Sequence, residues 1–111
     1  LLANGANGMN CANNAYYGGG GGAGGSIWLT TGVLDASEGH RIEANGGQAG
    51  GSHTARRGGG GGGGRVVIQA TTTSSETPTD LWSVNGGSGL AAGDPGSARL
   101  EANGTVNILS L

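Results

Sequence analysis

The chain has 111 residues and a formal net charge of −2, from seven acidic residues, five arginines and no lysine. This sparse charge argues against nucleic acid, which binds densely basic surfaces, and against electrostatic docking to a membrane. No apolar stretch approaches the ~18 residues that span a bilayer. Glycine supplies 28 residues and hydrophobic residues only 34% of the chain. A conventional core would be thin, so backbone hydrogen bonding is expected to contribute much of the stability.

Two glycine-rich tracts, residues 18–25 and 58–64, each lead directly into an apolar, β-prone segment. A flexible linker would normally dilute glycine with serine and end in a polar flank. Ordering a residue costs roughly 1–2 kcal/mol of backbone entropy, so ordered glycine needs hydrogen bonds to chains that approach closer than a Cβ would allow. The tracts are predicted to be packed and polyglycine-II-like. The packed positions are Gly18, Gly19, Gly20, Gly21, Gly22, Gly58, Gly59, Gly60, Gly61, Gly62, Gly63 and Gly64.

Side-chain alternation predicts the strands. In residues 41–44, and again in 99–102, apolar residues face one way and charged residues the other, which predicts half-exposed strands. Segments 27–29, 66–68 and 106–109 are apolar on both faces, or nearly so, and are predicted to be covered on both sides. No window has the helical spacing of apolar residues, and glycine penalises helix by about 1 kcal/mol per residue. The predicted fold class is therefore all-β with no α-helix.

A phrase ending in Asn-Gly recurs along the chain, with asparagines at 4, 45, 85 and 103. Their separations of 41, 40 and 18 positions predict a repeating unit of about forty residues with a shortened last copy. Because Asn-Gly favours positive φ, the pairs are predicted to mark tight turns at strand ends, and Asp94-Pro95-Gly96 predicts another turn. We expect one domain over 1–111, divided into a leading tract 1–25, units 26–57 and 58–96, and a terminal unit 97–111.

Over roughly residues 16–104 these segments follow one another in a recognisable order. A glycine tract precedes Ser26-Ile27-Trp28-Leu29, a strand precedes Asn45-Gly46, and a second glycine tract precedes Val66-Val67-Ile68. This order resembles the glycine-rich repeats of secreted bacterial surface proteins and adhesins. It is more loosely similar to certain phage tail-tip adhesins and to the glycine-rich ectodomain of anaplastic lymphoma kinase-type receptors. The resemblance implies a β-solenoid or β-helix-like fold, or a β-sandwich-like one, with extracellular display, binding or assembly and no catalytic residues.

Motifs for nucleotide or RNA binding are weak. A phosphate loop needs a lysine after its glycines, and the chain has none. Arg56-Arg57-Gly58-Gly59 is similar to an Arg-Gly-Gly box, but such segments act in multiple copies with dispersed positive charge. A solvated loop is the favoured interpretation of this segment.

Metal and catalytic motifs are also weak. His40 and His53 lie thirteen residues apart, with Asp35 and Glu38 near the first. A zinc site needs three or four ligands at compact spacing, and Cys11 is the single thiol, so surface histidines are favoured. Cys11 is either a free thiol or part of an intermolecular bridge, and an unpaired or buried cysteine without a redox role is the favoured interpretation. The serines lack a nucleophile elbow or an accompanying base. We therefore predict no enzyme activity, no metal and no cofactor.

Two features of the sequence could involve sugar. The segment 71–79 is rich in hydroxyl groups, contains Pro78 and is predicted to be a surface loop that could carry O-linked sugar, while Asn103 begins an N-glycosylation sequon. The aromatic residues Tyr16, Tyr17, Trp28 and Trp82 could stack on sugars, but packing anchors are the favoured interpretation. The candidate glycosylation sites are Asn103, Thr71, Thr72, Thr73, Ser74, Ser75, Thr77 and Thr79.

The two ends of the sequence carry apolar, β-prone residues. Uncapped strand edges recruit further strands, and a head-to-tail contact that does not close produces a filament. The leading hypothesis is a structural, extracellular or cell-surface protein whose partner is itself, assembled into a fibre. The alternative is a binding module of an adhesin or receptor ectodomain that recognises carbohydrate or protein. The assembly residues are Leu1, Leu2, Val106, Ile108, Leu109 and Leu111.

Overall fold

The computed structural model describes residues 1–34, 41–53, 55–73, 82–102 and 105–110. These residues form an elongated body of 54 × 20 × 18 Å. They contain strands and extended segments and no helix, so the all-β prediction is confirmed for this part of the chain. The strands are β1 (Asn10–Cys11), β2 (Asn14–Gly18), β3 (Ser26–Leu34), β4 (Ile42–Glu43), β5 (Arg65–Thr73), β6 (Trp82–Ser83), β7 (Ser97–Ala102) and β8 (Thr105–Ser110).

Two sheets occupy one half of the body. In the larger sheet, β3, β5 and β7 are parallel neighbours, and β8 lies antiparallel to β7. In the smaller sheet β4 pairs in parallel with β6, and Leu2 adds a parallel bridge to Glu43. A third pairing, β1 with β2, forms an antiparallel hairpin in the other half. The residues between the strands are largely extended backbone.

The hydrophobic core lies between the larger and the smaller sheet. Inward residues of β3, β5 and β7 meet residues 42–44 and 82–84 in a single cluster. The alternation predicted for 41–44 and 99–102 is confirmed at Ile42, Ala44 and Leu100, which are buried. The buried core residues are Ile27, Leu34, Ile42, Ala44, Val66, Ile68, Trp82, Val84, Ala98 and Leu100.

The prediction that segments 27–29 and 66–68 are covered on both sides is wrong. Ile27, Val66 and Ile68 face the core, but Trp28 is 73% exposed and Val67 is only half-buried. Among the described residues nothing packs over the outer face of the larger sheet. Segment 106–109 lies outside the residues whose side chains are described.

The glycine tract 58–64 makes backbone hydrogen bonds to four neighbouring extended segments, with every third residue facing the same neighbour. Its amides donate to carbonyl groups of segments 44–50 and 91–94, and its carbonyl groups accept from segments 21–24 and 87–90, with N···O distances of 2.6–3.3 Å. Backbones that interlock in this way leave little room for side chains. The tract consists of glycine because four neighbouring backbones approach it closely.

Room for a side chain recurs with the same three-residue period. A Cβ built on Gly61 or Gly63 would lie within 3.0 Å of a carbonyl oxygen of a neighbouring segment, whereas on Gly62 its nearest neighbour would be 3.7 Å away. The hydrogen-bond pattern matches position 62 with position 23 in one neighbouring tract and with position 94 in the other. These positions are occupied by Ala23 and Asp94. Side chains occur where the packing leaves space.

The Asn-Gly pairs that begin at Asn4, Asn45 and Asn85 do not form the tight turns that were predicted, and the pair that begins at Asn103 lies outside the described residues. In the described part of the chain the one glycine with positive φ is Gly51, at 90°. These three pairs lie in extended backbone, where the Oδ1 of Asn4 accepts from the amide of Asn45 and that of Asn45 accepts from the amide of Asn85, both at 2.8 Å. Asparagine is used as a lateral hydrogen-bond acceptor, and the next residue is glycine because the neighbouring backbone excludes a Cβ.

Two further local predictions need correction. Asp94-Pro95-Gly96 is extended, since the Asp94 carbonyl accepts from the Gly63 amide and the Gly96 amide donates to Val84. Thr71, Thr72 and Thr73 continue β5 and are not part of a loop, because the pairing with β3 extends to Thr73. Residues 74–79 lie outside the described part of the chain.

We expect Asn45→Ala to lower the free energy of unfolding by about 1–3 kcal/mol, the usual cost of orphaning buried hydrogen-bonding groups. The Asn45 side chain accepts from the Asn85 amide at 2.8 Å and from the Ser83 hydroxyl at 2.7 Å, and Ser83 is 6% exposed. Urea denaturation followed by circular dichroism measures the change. Gln48→Ala is the control, since Gln48 is exposed on the same segment; equal losses for both variants would contradict the role assigned to Asn45.

Candidate ligand-binding face

The outer face of the larger sheet carries an exposed tryptophan that is nevertheless held in place. The indole of Trp28 donates through Nε1 to the Oε1 of Gln69 at 3.1 Å, and the Thr30 hydroxyl lies 3.4 Å from the same oxygen. Exposed aromatic rings are usually free to change rotamer. Here the hydrogen bond restrains the ring of Trp28 while its surface stays in solvent.

Gln69 is itself fixed by a chain of contacts across the sheet. Its Nε2 donates to the Oε2 of Glu101 at 3.1 Å, and the other oxygen of Glu101 forms an ion pair with Arg99. The pairing of β3 with β5 and of β5 with β7 brings these side chains together, because Thr30, Gln69 and Glu101 stand opposite one another. A polar network with its partners satisfied holds a single arrangement.

A shallow groove of about 490 Å³ lies beside this network, at the point where the glycine segments become strands. The groove is open to solvent, and its lining is more polar than apolar. Its side chains include Ser26, Arg65 and Ser97, which are opposite one another in the sheet. Arg65 is exposed and forms no ion pair with any other described residue.

The groove and the tryptophan belong to one surface. Ser26 and Trp28 are two residues apart on the same side of β3, a step of about 7 Å. We call this surface the Trp28 face. Its members are Ser26, Trp28, Arg65, Gln69, Ser97, Arg99 and Glu101.

The chemistry of the Trp28 face suits a ligand that is apolar on one side and rich in hydroxyl groups around its rim. The indole offers a flat apolar surface, while Arg65, Ser26 and Ser97 offer donors and acceptors in the groove. A pyranose ring has both properties, since its axial C–H groups pack on an aromatic plane and its hydroxyl groups form hydrogen bonds. Binding is the chemistry that these groups support.

A second exposed cluster lies on the β1–β2 hairpin and the turn after Gly51. The rings of Tyr16 and His53 meet edge to face at 5.8 Å, and Arg56 donates to the Tyr17 hydroxyl at 2.9 Å with its guanidinium 5.3 Å from the ring centre. Arg56 and His53 are exposed, in agreement with the solvated loop and surface histidine that were predicted. The solvated-loop prediction is wrong for Gly58 and Gly59, because both form backbone hydrogen bonds in the packed tract.

The prediction that the aromatic residues are packing anchors is correct for Trp82, which is 4% exposed, and wrong for the other three. Trp28, Tyr16 and Tyr17 are 73%, 56% and 43% exposed. Sequence reasoning gave Trp28 as a candidate for sugar stacking but missed Arg65, Gln69 and Glu101. The signal for these was the alternation of polar residues on the outward side of each strand that follows a glycine tract.

Other predicted residues are placed as follows. Cys11 is an exposed free thiol, and within the described ranges no three His, Cys, Asp or Glu side chains gather into a metal site. Leu1 and Leu2 are exposed, although their backbones contact residues 41–43. Positions outside the described residues are Asp35, Glu38, His40, Ser74, Ser75, Thr77, Thr79, Asn103 and Leu111.

Comparison with protein-family models, with curated proteins and with solved structures gave no match. The described residues include no helix with the length and apolar character to cross a membrane.

Proposed function

We propose that the chain is a binding module of an extracellular or cell-surface adhesin or receptor ectodomain, and that it recognises carbohydrate through the Trp28 face. The observation that carries this proposal is a tryptophan 73% exposed to solvent whose ring is fixed by a hydrogen bond to Gln69. A large apolar group held in solvent contributes little to stability. A flat apolar ring fixed in solvent beside hydrogen-bonding groups is suited to contact with a ligand.

The glycine-packed half of the molecule supports this proposal by supplying rigidity. We infer that its segments form a polyglycine-II-type bundle built from repeating units of about forty residues. The hydrogen-bond period of three agrees with the three residues per turn of that conformation. A rigid body reduces the entropy lost when a ligand binds, so the bundle acts as a support for the sheet face.

The test is a glycan array probed with the purified chain, followed by calorimetric titration of the best ligand. Trp28→Ala is expected to lower the affinity at least tenfold, a change of about 1.4 kcal/mol. Val33→Ala is the matched control, because Val33 is also on β3 and is 60% exposed, and it is expected to bind as the unmodified chain does. Unchanged binding by Trp28→Ala, or capture of protein ligands alone, would overturn the proposal.

A second candidate function is the self-assembling fibre. It is favoured by the position of β3, whose nine residues form an edge of the larger sheet, because an unpaired strand edge can recruit another strand. β8 pairs with β7 on one side and forms the opposite edge of the same sheet, so in this proposal growth would join the β3 edge of one copy to the β8 edge of the next. Negative-stain microscopy tests it, and discrete monomers at every concentration would refute it.

A further inference from the structure

The extended segments are arranged as three antiparallel pairs, placed side by side. Within each pair and between neighbouring pairs the backbones hydrogen-bond at every third residue. The outer edge of the first pair and the outer edge of the last pair have no further pair beside them among the described residues. The first pair is 1–9 with 18–25, the middle pair is 41–51 with 58–64, and the last pair is 82–90 with 91–96.

Residues of the last pair can be matched to the middle pair by their hydrogen bonds. Gly61 donates to Gly47 in the middle pair, as Gly93 donates to Gly87 in the last. Gly64 and Gly96 correspond in the same way, since they donate to Ala44 and Val84. It follows that position 92 corresponds to 60, and position 95 to 63.

In the interior these matched positions are glycines that face the next pair. The amides of Gly60 and Gly63 donate to the carbonyl groups of Ala91 and Asp94. A Cβ on either glycine would lie within 3.0 Å of a carbonyl oxygen of segment 82–90. On the last edge the same two positions are Ala92 and Pro95, both exposed. Their side chains occupy the space of a further pair, and Pro95 also lacks the amide that would donate to it.

The first edge shows the complementary substitution. Gly47 and Gly50 face the first pair, and a Cβ on either would lie within 3.0 Å of the carbonyl oxygen of Ala6 or Met9. Gly22 donates to Ala6 as Gly61 donates to Gly47, so Ala6 is the first-pair counterpart of Gly47. Met9 is likewise the counterpart of Gly50, and its side chain is 82% exposed. Both outer edges thus carry side chains where the interior has glycine.

We propose that Ala6 and Met9 on the first edge, and Ala92 and Pro95 on the last edge, prevent copies of this chain from associating head to tail through these two edges. The two edges otherwise repeat the groups that join the pairs in the interior. If the last edge of one copy met the first edge of the next, each added copy would present a free edge again. Such a contact would allow growth without limit into a filament. Natural proteins protect such edges with proline and with side chains that prevent close approach. This inference rests on the glycine pairs and is independent of the Trp28 face.

The experiment replaces all four residues by glycine, as A6G/M9G/A92G/P95G, and measures mass by light scattering after size exclusion over a range of concentrations. The expected result is a change from the mass of one chain to multiples of it. The matched control is A6G/M9G/A92G/P95A, which restores the amide at position 95 but keeps a Cβ, and it is expected to remain a single chain. A folded four-glycine variant that stays a single chain would overturn the proposal.

If the four-glycine variant does not fold, hydrogen exchange in the unmodified chain decides. Gly86 and Gly89 correspond to Gly46 and Ala49, whose amides donate to the last pair. The amides of Gly86, Gly89 and Ala92 therefore face the outer edge of the last pair. Their amides are expected to exchange at least a hundredfold faster than those of Gly60 and Gly63, equally at every concentration. Protection of the edge amides that increases with concentration would show that copies already meet there, and would overturn the proposal.

Discussion

Gly61→Ala is expected to lower the free energy of unfolding by roughly 3 kcal/mol or more, at the upper end of the cost of overpacking. A Cβ on Gly61 would lie within 3.0 Å of the carbonyl oxygen of Gly22, which is backbone and cannot rotate away. Gly61 also donates to Gly47 and accepts from Gly87. A shift that relieved the clash would therefore strain the hydrogen bonds on two other sides.

The matched control is Gly62→Ala, one residue along the same tract. Its Cβ would have no neighbour closer than 3.7 Å, and alanine restricts the unfolded chain, so stability is expected to stay the same or to rise by up to about 1 kcal/mol. Urea denaturation of both variants gives the comparison. Similar small effects at the two positions would show that the tract is not packed as described.

Trp82→Ala is expected to cost about 3–5 kcal/mol, as for other large aromatic residues removed from a core. Trp82 is 4% exposed and lies in β6, in the single cluster that joins the two sheets. The whole stability of a domain is only about 5–15 kcal/mol. This one side chain is thus a large fraction of what holds the sheets together.

Trp28→Ala provides the comparison, because it removes the same side chain from the exposed face of the larger sheet. We expect a change within about 0.5 kcal/mol, the usual range for surface positions. Far-ultraviolet circular dichroism during urea or thermal denaturation follows both variants without relying on tryptophan fluorescence. Comparable losses would contradict the assignment of Trp82 to the core and Trp28 to the surface.

The orientation of short strands was predictable from local sequence, but the number of layers was not. Alternation places Ile42 and Ala44 on one side and Arg41 and Glu43 on the other, since the period of a strand is two. The same reasoning treats Trp28 as an interior residue because its neighbours are apolar. Whether a second layer covers it depends on distant parts of the chain.

The three-residue pattern of the extended segments was present in the sequence and was missed. Ala3-Asn4-Gly5 is followed directly by Ala6-Asn7-Gly8, a period that belongs neither to strands nor to α-helices but to the polyproline-II conformation. The Asn-Gly pairs were instead interpreted singly, as turns. Glycine after asparagine is favoured both by a turn with positive φ and by close packing against a neighbouring backbone. Only the three-residue spacing of the pairs distinguishes these two explanations.

The candidate site could be predicted only in part. Trp28 is conspicuous in a chain with 4% aromatic residues. Its partner Gln69 is 41 residues away and Glu101 is a further 32 residues along the sequence. Their proximity follows from the register of β3, β5 and β7, which is set by the lengths of the intervening glycine segments.

The spacing of permitted side chains along the glycine tracts also determines where this molecule can vary. Positions 20 and 23, 59 and 62, and 91 and 94 share one register. At about 3.1 Å per residue, members of one tract are about 9 Å apart. Substitutions there are expected to change charge, solubility or attached labels without disturbing the interior. The tracts therefore offer variable surface positions at a fixed spacing along the body.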